Sequence, residues 1–225
     1  MGTLILIRHG RTHANAQGVL AGRSAGVELD EVGIKSCEIL RDKFSGLNVK
    51  HVATSPLERT QQTASLVFPE NSFSIEENLT ECDYGDWTGK KLADLANEPL
   101  WQTVRNAPHE VIFPAGESMQ AMSDRAISAV LNLDQKLTEI HGDEFIWAAI
   151  SHGDIIKAII AHALGLELAK FQRIYVEPAS VSVLRIKGDD TGVLKVNDTG
   201  DGWVQSLAKV AEPTVGGQTG QETTK

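Results

Sequence analysis

Four consecutive bulky aliphatics, Leu4-Ile5-Leu6-Ile7, run straight into the polar turn Arg8-His9-Gly10, and nothing else in the chain constrains its fold as much. A strand with no polar face must be buried on both sides, and such strands belong in α/β sheets covered by helices. Two further stretches have the same form. His51 to Thr54 ends in Ser55-Pro56, and Phe145 to Ile150 ends in Ser151-His152-Gly153-Asp154. Helical spacing follows each of them. Leu29-Asp30-Glu31 opens a helix to about Phe44, Pro56-Leu57 opens one over Glu58 to Val67, and Ile155 to Leu164 forms one that Gly165 closes.

Between the second and third strands the chain is less regular. Pro69, Pro99, Pro108 and Pro114 interrupt short helical stretches at about Leu92 to Ala96 and Trp101 to Arg105, as in an inserted cap. A long amphipathic helix then runs from about Ser118 to His141, with Met122, Ala126, Val130, Leu133 and Leu137 on one face. Ser180 to Ile186 and Gly192 to Thr199 form a final hairpin around Gly188-Asp189-Asp190. Glu212 to Lys225 is rich in Gly, Thr and Gln and is expected to be a disordered tail behind one domain over residues 1–211. This order of elements implies a three-layer α/β domain, with a mostly parallel central sheet, helices on both faces and an inserted cap region.

Charge narrows the class of partner. With 21 Lys and Arg against 30 Asp and Glu, the net charge of -9 argues against a surface built for nucleic acid. The apolar run at the start is far shorter than the ~20 residues of a membrane span and lacks the flanks of a signal peptide, so the reading is a soluble cytoplasmic protein with no membrane partner. Cys37 and Cys82 are too few for a disulfide framework, and no cysteine or histidine cluster at metal spacing occurs. No metal or other cofactor is called for.

In parallel α/β sheets ligands bind beyond the carboxyl ends of the strands. That rule selects three turns: Arg8-His9-Gly10, Ser55-Pro56-Leu57-Glu58-Arg59 and Ser151-His152-Gly153. They supply two histidines and two arginines. Neutral imidazole keeps a lone pair for attack on phosphorus near neutral pH, and guanidinium matches phosphate oxygens two at a time. Gly10 and Gly153 are expected to remove side chains where backbone passes close to a ligand. Singly these are ordinary turn residues; together they converge on one edge of one sheet.

Leu6-Ile7-Arg8-His9-Gly10-Arg11-Thr12, with Asn15 beyond it, resembles the signature of the phosphoglycerate mutase-like histidine phosphatase superfamily. Ser55-Pro56-Leu57-Glu58-Arg59-Thr60 continues the match. So do Glu81-Cys82-Asp83-Tyr84-Gly85-Asp86-Trp87-Thr88-Gly89, Pro114-Ala115-Gly116-Glu117-Ser118 and Ser151-His152-Gly153, in family order over roughly residues 3 to 186. The resemblance implies His9 as the nucleophile that becomes phosphohistidine. It implies Arg8, Arg59 and the catalytic-set His152 as the phosphate pocket, with Asn15 as a further donor. Glu81 is implied as the acid that protonates the leaving oxygen and then the base that activates water.

Around this set other positions stay open. Arg23 either reaches substrate from the rim or is a solvated loop arginine, and Tyr84 and Trp87 either line the substrate mouth or pack the insertion. Glu117, just before the long helix, favours that helix's positive N-terminus. His13, His51, His109, His141 and His162 receive no role. The implied activity is metal-independent hydrolysis of a small phosphorylated metabolite. The alternatives are a cofactor-dependent phosphoglycerate mutase and a non-catalytic phosphate-binding module. Against the mutase, Cys82 stands where the resembling mutases have an arginine after the catalytic glutamate. Leu92 stands about where they have a lysine, with Lys90 and Lys91 close enough to substitute if the loop shifts.

Overall fold

The computed structural model describes residues 2–188, 190–200 and 216. In chain order its elements are β1 (Thr3–Arg8), α1 (His13–Ala16), α2 (Glu31–Phe44), β2 (Val49–Thr54), α3 (Glu58–Val67), β3 (Phe73–Ile75), α4 (Leu92–Leu95), α5 (Pro99–Asn106), α6 (Met119–His141), β4 (Ile146–Ser151), α7 (Gly153–Ala163), β5 (Val181–Arg185) and β6 (Gly192–Asp198). They build one six-stranded sheet in the order β3-β2-β4-β1-β5-β6. The first four are parallel neighbours, and the β5–β6 hairpin joins the β1 edge antiparallel. The three-layer α/β expectation holds, with each foreseen strand within two residues of its expected bounds.

The apolar run of β1 shows why both faces are covered. Strand side chains alternate, so Leu4 and Leu6 enter one core with Trp147 and Ala149, while Ile5 and Ile7 enter the other with Ala148 and Ile150. The first core is closed by α6 and α7, the second by α2 and α3. β3 was not foreseen. Three residues at the sheet edge, with Ser74 and Ile75 exposed, are too few to show alternation.

The insertion is no separate lobe. Leu79, Tyr84, Trp87, Trp101 and Phe113 belong to the same core as α6 and α7. Within it, Phe113 meets both Tyr84 and Trp87 edge-on, at ring-centroid distances of 5.0 and 5.4 Å. Trp87 is 3% exposed and packs the insertion.

Because β4 lies between β1 and β2, the carboxyl ends of all three strands meet at one place. Arg8 pairs with Ser151 in register, His9 N–H donates to Ser151 O at 3.0 Å, and Ser55 N–H donates to Ile150 O at 3.0 Å. The three turns thus lie side by side.

Gly10 serves packing and not ligand approach. A Cβ there would stand 2.9 Å from Gly33 O and 3.0 Å from Cys37 Sγ, so the missing side chain lets α2 close on the turn that carries His9. Gly33 makes the reciprocal allowance: a Cβ on it would come within 2.1 Å of Arg11 O and 2.7 Å of Arg11 N, both backbone atoms that no rotamer change can move. Gly33→Ala is therefore expected to destabilise the fold by roughly 1–3 kcal/mol or more in urea unfolding. Gly192→Ala, which meets nothing within 4 Å, is expected to stay within ~0.5 kcal/mol of the parent.

Candidate active site

β1 ends in Arg8 and delivers His9 to the meeting point of the strand ends, where the imidazole is 3% exposed. Its Nδ1 lies 2.8 Å from Gly10 O. A carbonyl can only accept, so Nδ1 carries the proton and the lone pair belongs to Nε2. Arg59 Nε donates to that Nε2 at 3.3 Å. Burial first, then the charges of Arg59 and Arg8, hold the imidazole pKa well below its ordinary 6.5. His9 is a neutral base with its lone pair beside the Arg59 guanidinium and within the field of Arg8.

Arg59 sits in the first turn of α3, 2% exposed. Its Nη2 donates to Gly22 O at 2.7 Å and lies 3.3 Å from His152 Nδ1. Nη1 is buried with no hydrogen-bond partner among the described residues. Arg8 Nη1 donates to Val176 O at 2.8 Å, and burial pushes its pKa down to about 10, which leaves it charged at neutral pH.

His152 follows β4 and is fully buried. Facing the donor-only Arg59, its Nδ1 must accept, so Nε2 carries the proton and donates to Ser55 Oγ at 2.7 Å. Burial, with Arg59 next, holds His152 well below 6.5 as well. The two imidazole centroids are 5.3 Å apart.

Glu81 comes from the insertion and is 4% exposed. Its Oε1 accepts from Cys82 N–H at 2.9 Å, and its Oε2 lies 4.0 Å from His152 Nδ1. Burial and then the Asp154 charge push its pKa up to about 7, against the opposing pull of Arg59, the Cys82 amide and Arg8. Near neutral pH this carboxyl can both give and take a proton. Its backbone carbonyl is fixed by Arg23 Nε at 2.8 Å and Arg125 Nη2 at 3.1 Å. Glu117 joins the two arginines, accepting from Arg23 Nη2 at 2.9 Å and from Arg125 Nη2 at 2.7 Å.

A cavity opens above these groups, with Arg8, His9, Asn15, Arg59 and Glu81 in its wall. His152 is not in that wall but touches Arg59, which is. Asn15 Oδ1 is taken up by the Thr12 N–H and hydroxyl at 3.1 and 3.0 Å, so its amide nitrogen is the group it can offer a ligand. Among the described residues no three His, Cys, Asp or Glu side chains group as a metal cage.

Two expectations change, and a third gains partners. Tyr84 is not at the rim: fully buried, it donates to Asp154 Oδ2 at 2.9 Å. Arg23, exposed, is bound to Glu81 O, Glu117 and, at 3.6 Å, Asp83, so it braces the insertion and is no free solvated loop arginine. Glu117, directly before the helix cap Ser118, also bridges the two arginines and accepts from Asp83 N–H at 2.8 Å. The five remaining histidines lie off the cavity wall. The expected boundary at residue 211 lies outside the described residues. Of the expected tail only Gly216 is described; its N–H donates to Asp154 Oδ2 at 3.0 Å and its backbone lines the cavity.

Arg125, Asp154 and Lys157 were not anticipated. Asp154 and Lys157, three residues apart at 3.3 Å, are fully buried within the apolar α7, and Lys157 also donates to Gln172 Oε1 at 3.0 Å. A lysine in an otherwise apolar helix was the available signal. Arg125 gave none, since its partners Asn78, Thr80 and Glu81 are distant in sequence.

Residues 4–199 match the histidine phosphatase superfamily (branch 1). Phosphoserine phosphatase 1 of Hydrogenobacter thermophilus is 28% identical over 207 residues, covering 88% of this chain and 93% of that protein. The protein named "Probable phosphoglycerate mutase GpmB" in Cronobacter sakazakii is 30% identical over 185 residues, covering 79% and 81%. Among solved structures, the alpha-ribazole phosphatase of Shigella flexneri superposes with a TM-score of 0.76 at 26% identity, covering 88% of this chain and 97% of that one.

The carboxyl of Glu81 is expected to titrate near pH 7, protonated below and ionised above, as read from a carbon-13 glutamate signal that disappears in Glu81→Gln. Asp154→Asn removes the largest like charge acting on it and is expected to lower that midpoint by about one unit. An unchanged midpoint would mean that Asp154 does not act on Glu81.

Proposed function

The chain belongs to the histidine phosphatase superfamily, and from that membership and the chemistry of the cavity we propose that it hydrolyses phosphomonoesters through a phosphohistidine formed at His9. One observation carries the reading: His9 Nε2 keeps its lone pair because Nδ1 is tied to Gly10 O, and it lies beside Arg59 in the wall of a cavity lined also by Arg8 and by a carboxyl with a pKa of about 7.

The phosphoryl group binds against Arg8, Arg59 and the Asn15 amide, with Arg59 Nη1 as a buried donor not yet engaged. Nε2 attacks phosphorus in line, the P–N bond forms, and the P–O bond to the alcohol breaks. Protonated Glu81 gives its proton to the departing oxygen, because an alkoxide leaves poorly without one. The resulting carboxylate then takes a proton from water as that water attacks phosphorus. The P–N bond breaks, inorganic phosphate leaves, and His9 and protonated Glu81 are restored. Charge on the transferring group is offset by guanidiniums, so the proposal needs no metal ion. The loss of the acid as Glu81 ionises sets the alkaline limb, and turnover declines as pH rises through about 7.

Two features favour hydrolysis over the mutase alternative. Leu92 lines the cavity, whereas Lys90 and Lys91 are exposed and off its wall. Cys82 is buried, and burial pushes its thiol pKa well above 9, so it carries no charge. A charged hydrogen bond to a carboxylate is worth ~1.5–3 kcal/mol, and neither position supplies one. A small phosphorylated metabolite in the cytoplasm is the proposed substrate. No helix among the described residues is long and apolar enough to cross a membrane.

In EDTA-containing buffer, rapid mixing with labelled phosphomonoester followed by an alkaline quench is expected to trap phosphate on His9. His9→Ala should lose more than about a hundredfold in rate, beyond what an acid–base role alone accounts for. Retention of rate in that variant would remove the covalent route. Glu81→Gln is expected to slow alkyl phosphates at least ~10-fold more than p-nitrophenyl phosphate, whose leaving group hardly needs a proton. Equal losses on both would remove Glu81 from the acid role.

A further inference from the structure

Glu81 closes a stretch of irregular backbone whose carbonyls are held by side chains. Asn78 O accepts from Arg125 Nη1 at 2.7 Å, Leu79 O from the Ser151 hydroxyl at 2.7 Å, Thr80 O from Arg125 Nη1 at 2.9 Å, and Glu81 O from Arg125 Nη2 at 3.1 Å. Arg125, half-buried on α6, makes two more bonds, from Nε to Glu117 Oε2 at 3.1 Å and from Nη2 to Glu117 Oε1 at 2.7 Å. A guanidinium carries five N–H donors in one plane, and all five are received here. Lysine, a compact ammonium with three donors on a flexible stem, cannot reproduce that set.

The peptide between Glu81 and Cys82 carries this hold to the carboxyl. Its oxygen accepts from Arg125 Nη2 and, at 2.8 Å, from Arg23 Nε. Its N–H, on the opposite side of the same plane, donates to Glu81 Oε1 at 2.9 Å. A trans peptide unit is rigid, so the direction in which the guanidiniums hold the oxygen fixes the direction of the N–H. Cationic donors at the oxygen also polarise the amide and strengthen that N–H as a donor. One carboxyl oxygen is thereby anchored, and the other, Oε2, lies 4.0 Å from His152 Nδ1.

We propose that Arg125 is a positioning residue for the acid step: it fixes the Glu81–Cys82 peptide plane and, through that plane, aims the Glu81 carboxyl at the departing oxygen. This rests on the phosphatase reading above, in which Glu81 gives that oxygen its proton. Arg125 is not in the cavity wall and acts only through Glu81. Glu117 is its counter-ion and orients the guanidinium at two of its nitrogens.

Arg125→Lys keeps the charge and loses the planar fork. Its kcat/KM, which reports the steps up to phosphohistidine, is expected to fall about 10-fold for n-butyl phosphate and less than ~3-fold for p-nitrophenyl phosphate, whose leaving group hardly needs a proton. A change that only loosened the fold would lower both esters by one factor. In a Glu81→Gln background, Arg125→Lys is expected to cost butyl phosphate less than ~2-fold further, because the acid it aims is gone. Glu117→Gln leaves Arg125 in place without its counter-ion, is expected to show the same selective loss at about 3-fold, and carries the test if Arg125→Lys does not fold. Equal losses on both esters in these variants, or an undiminished loss on top of Glu81→Gln, would overturn the inference while the phosphatase reading stands. If Glu81→Gln itself slows both esters equally, Glu81 is not the acid, and the inference falls with that part of the reading.

Discussion

The buried guanidinium of Arg59 is the interaction on which the rest of the site depends. Its Nε is given to His9, its Nη2 to Gly22 O and towards His152, and its Nη1 is buried with no partner among the described residues. A planar fork held on two sides leaves its remaining donor in a fixed direction, which a lysine ammonium on a flexible stem could not do. The same charge sets the protonation of its neighbours. With burial it keeps both imidazoles neutral, so His9 needs no separate base to free its lone pair.

Placing two guanidiniums and a carboxyl out of water is costly unless their charges are balanced. The balance here reaches past the cavity wall. Asp154 acts on Glu81 from behind, and it is itself held by Tyr84 and Lys157. Burial and Asp154 push the Glu81 proton affinity up, while Arg59 and Arg8 pull it down. The result near 7 suits the proposed role of donating and then accepting a proton. An apolar helix carrying a buried ion pair thus tunes a carboxyl in the cavity wall.

Position matters as much as charge. Glu81 lies in an insertion with little regular structure, yet its carbonyl is clamped between Arg23 and Arg125, and both arginines share Glu117. Irregular backbone is otherwise the mobile part of a fold. Here charged side chains from three separate segments supply the rigidity that a helix or strand would give, and the aromatic cluster of Tyr84, Trp87 and Phe113 anchors the insertion to the main core.

The sequence by itself determined the parallel sheet, because four aliphatics in a row admit no solvent face. It also determined which turns meet, because strand ends in such a sheet gather on one edge. His9, Arg8, Arg59, Glu81 and His152 could be named from those turns and from the family pattern. Only the tertiary structure decided where Tyr84 and Arg23 point, that Gly10 makes room for α2, that β3 completes the sheet edge, that Arg125 and Asp154 act on Glu81, and that Lys157 pairs with Asp154. The physical reason is separation along the chain. Backbone periodicity is a local property, written within a few residues. A side chain that can either face solvent or pair with a partner takes the choice that its distant neighbours offer: Arg23 finds Glu117 94 residues away, and Tyr84 finds Asp154 70 residues away.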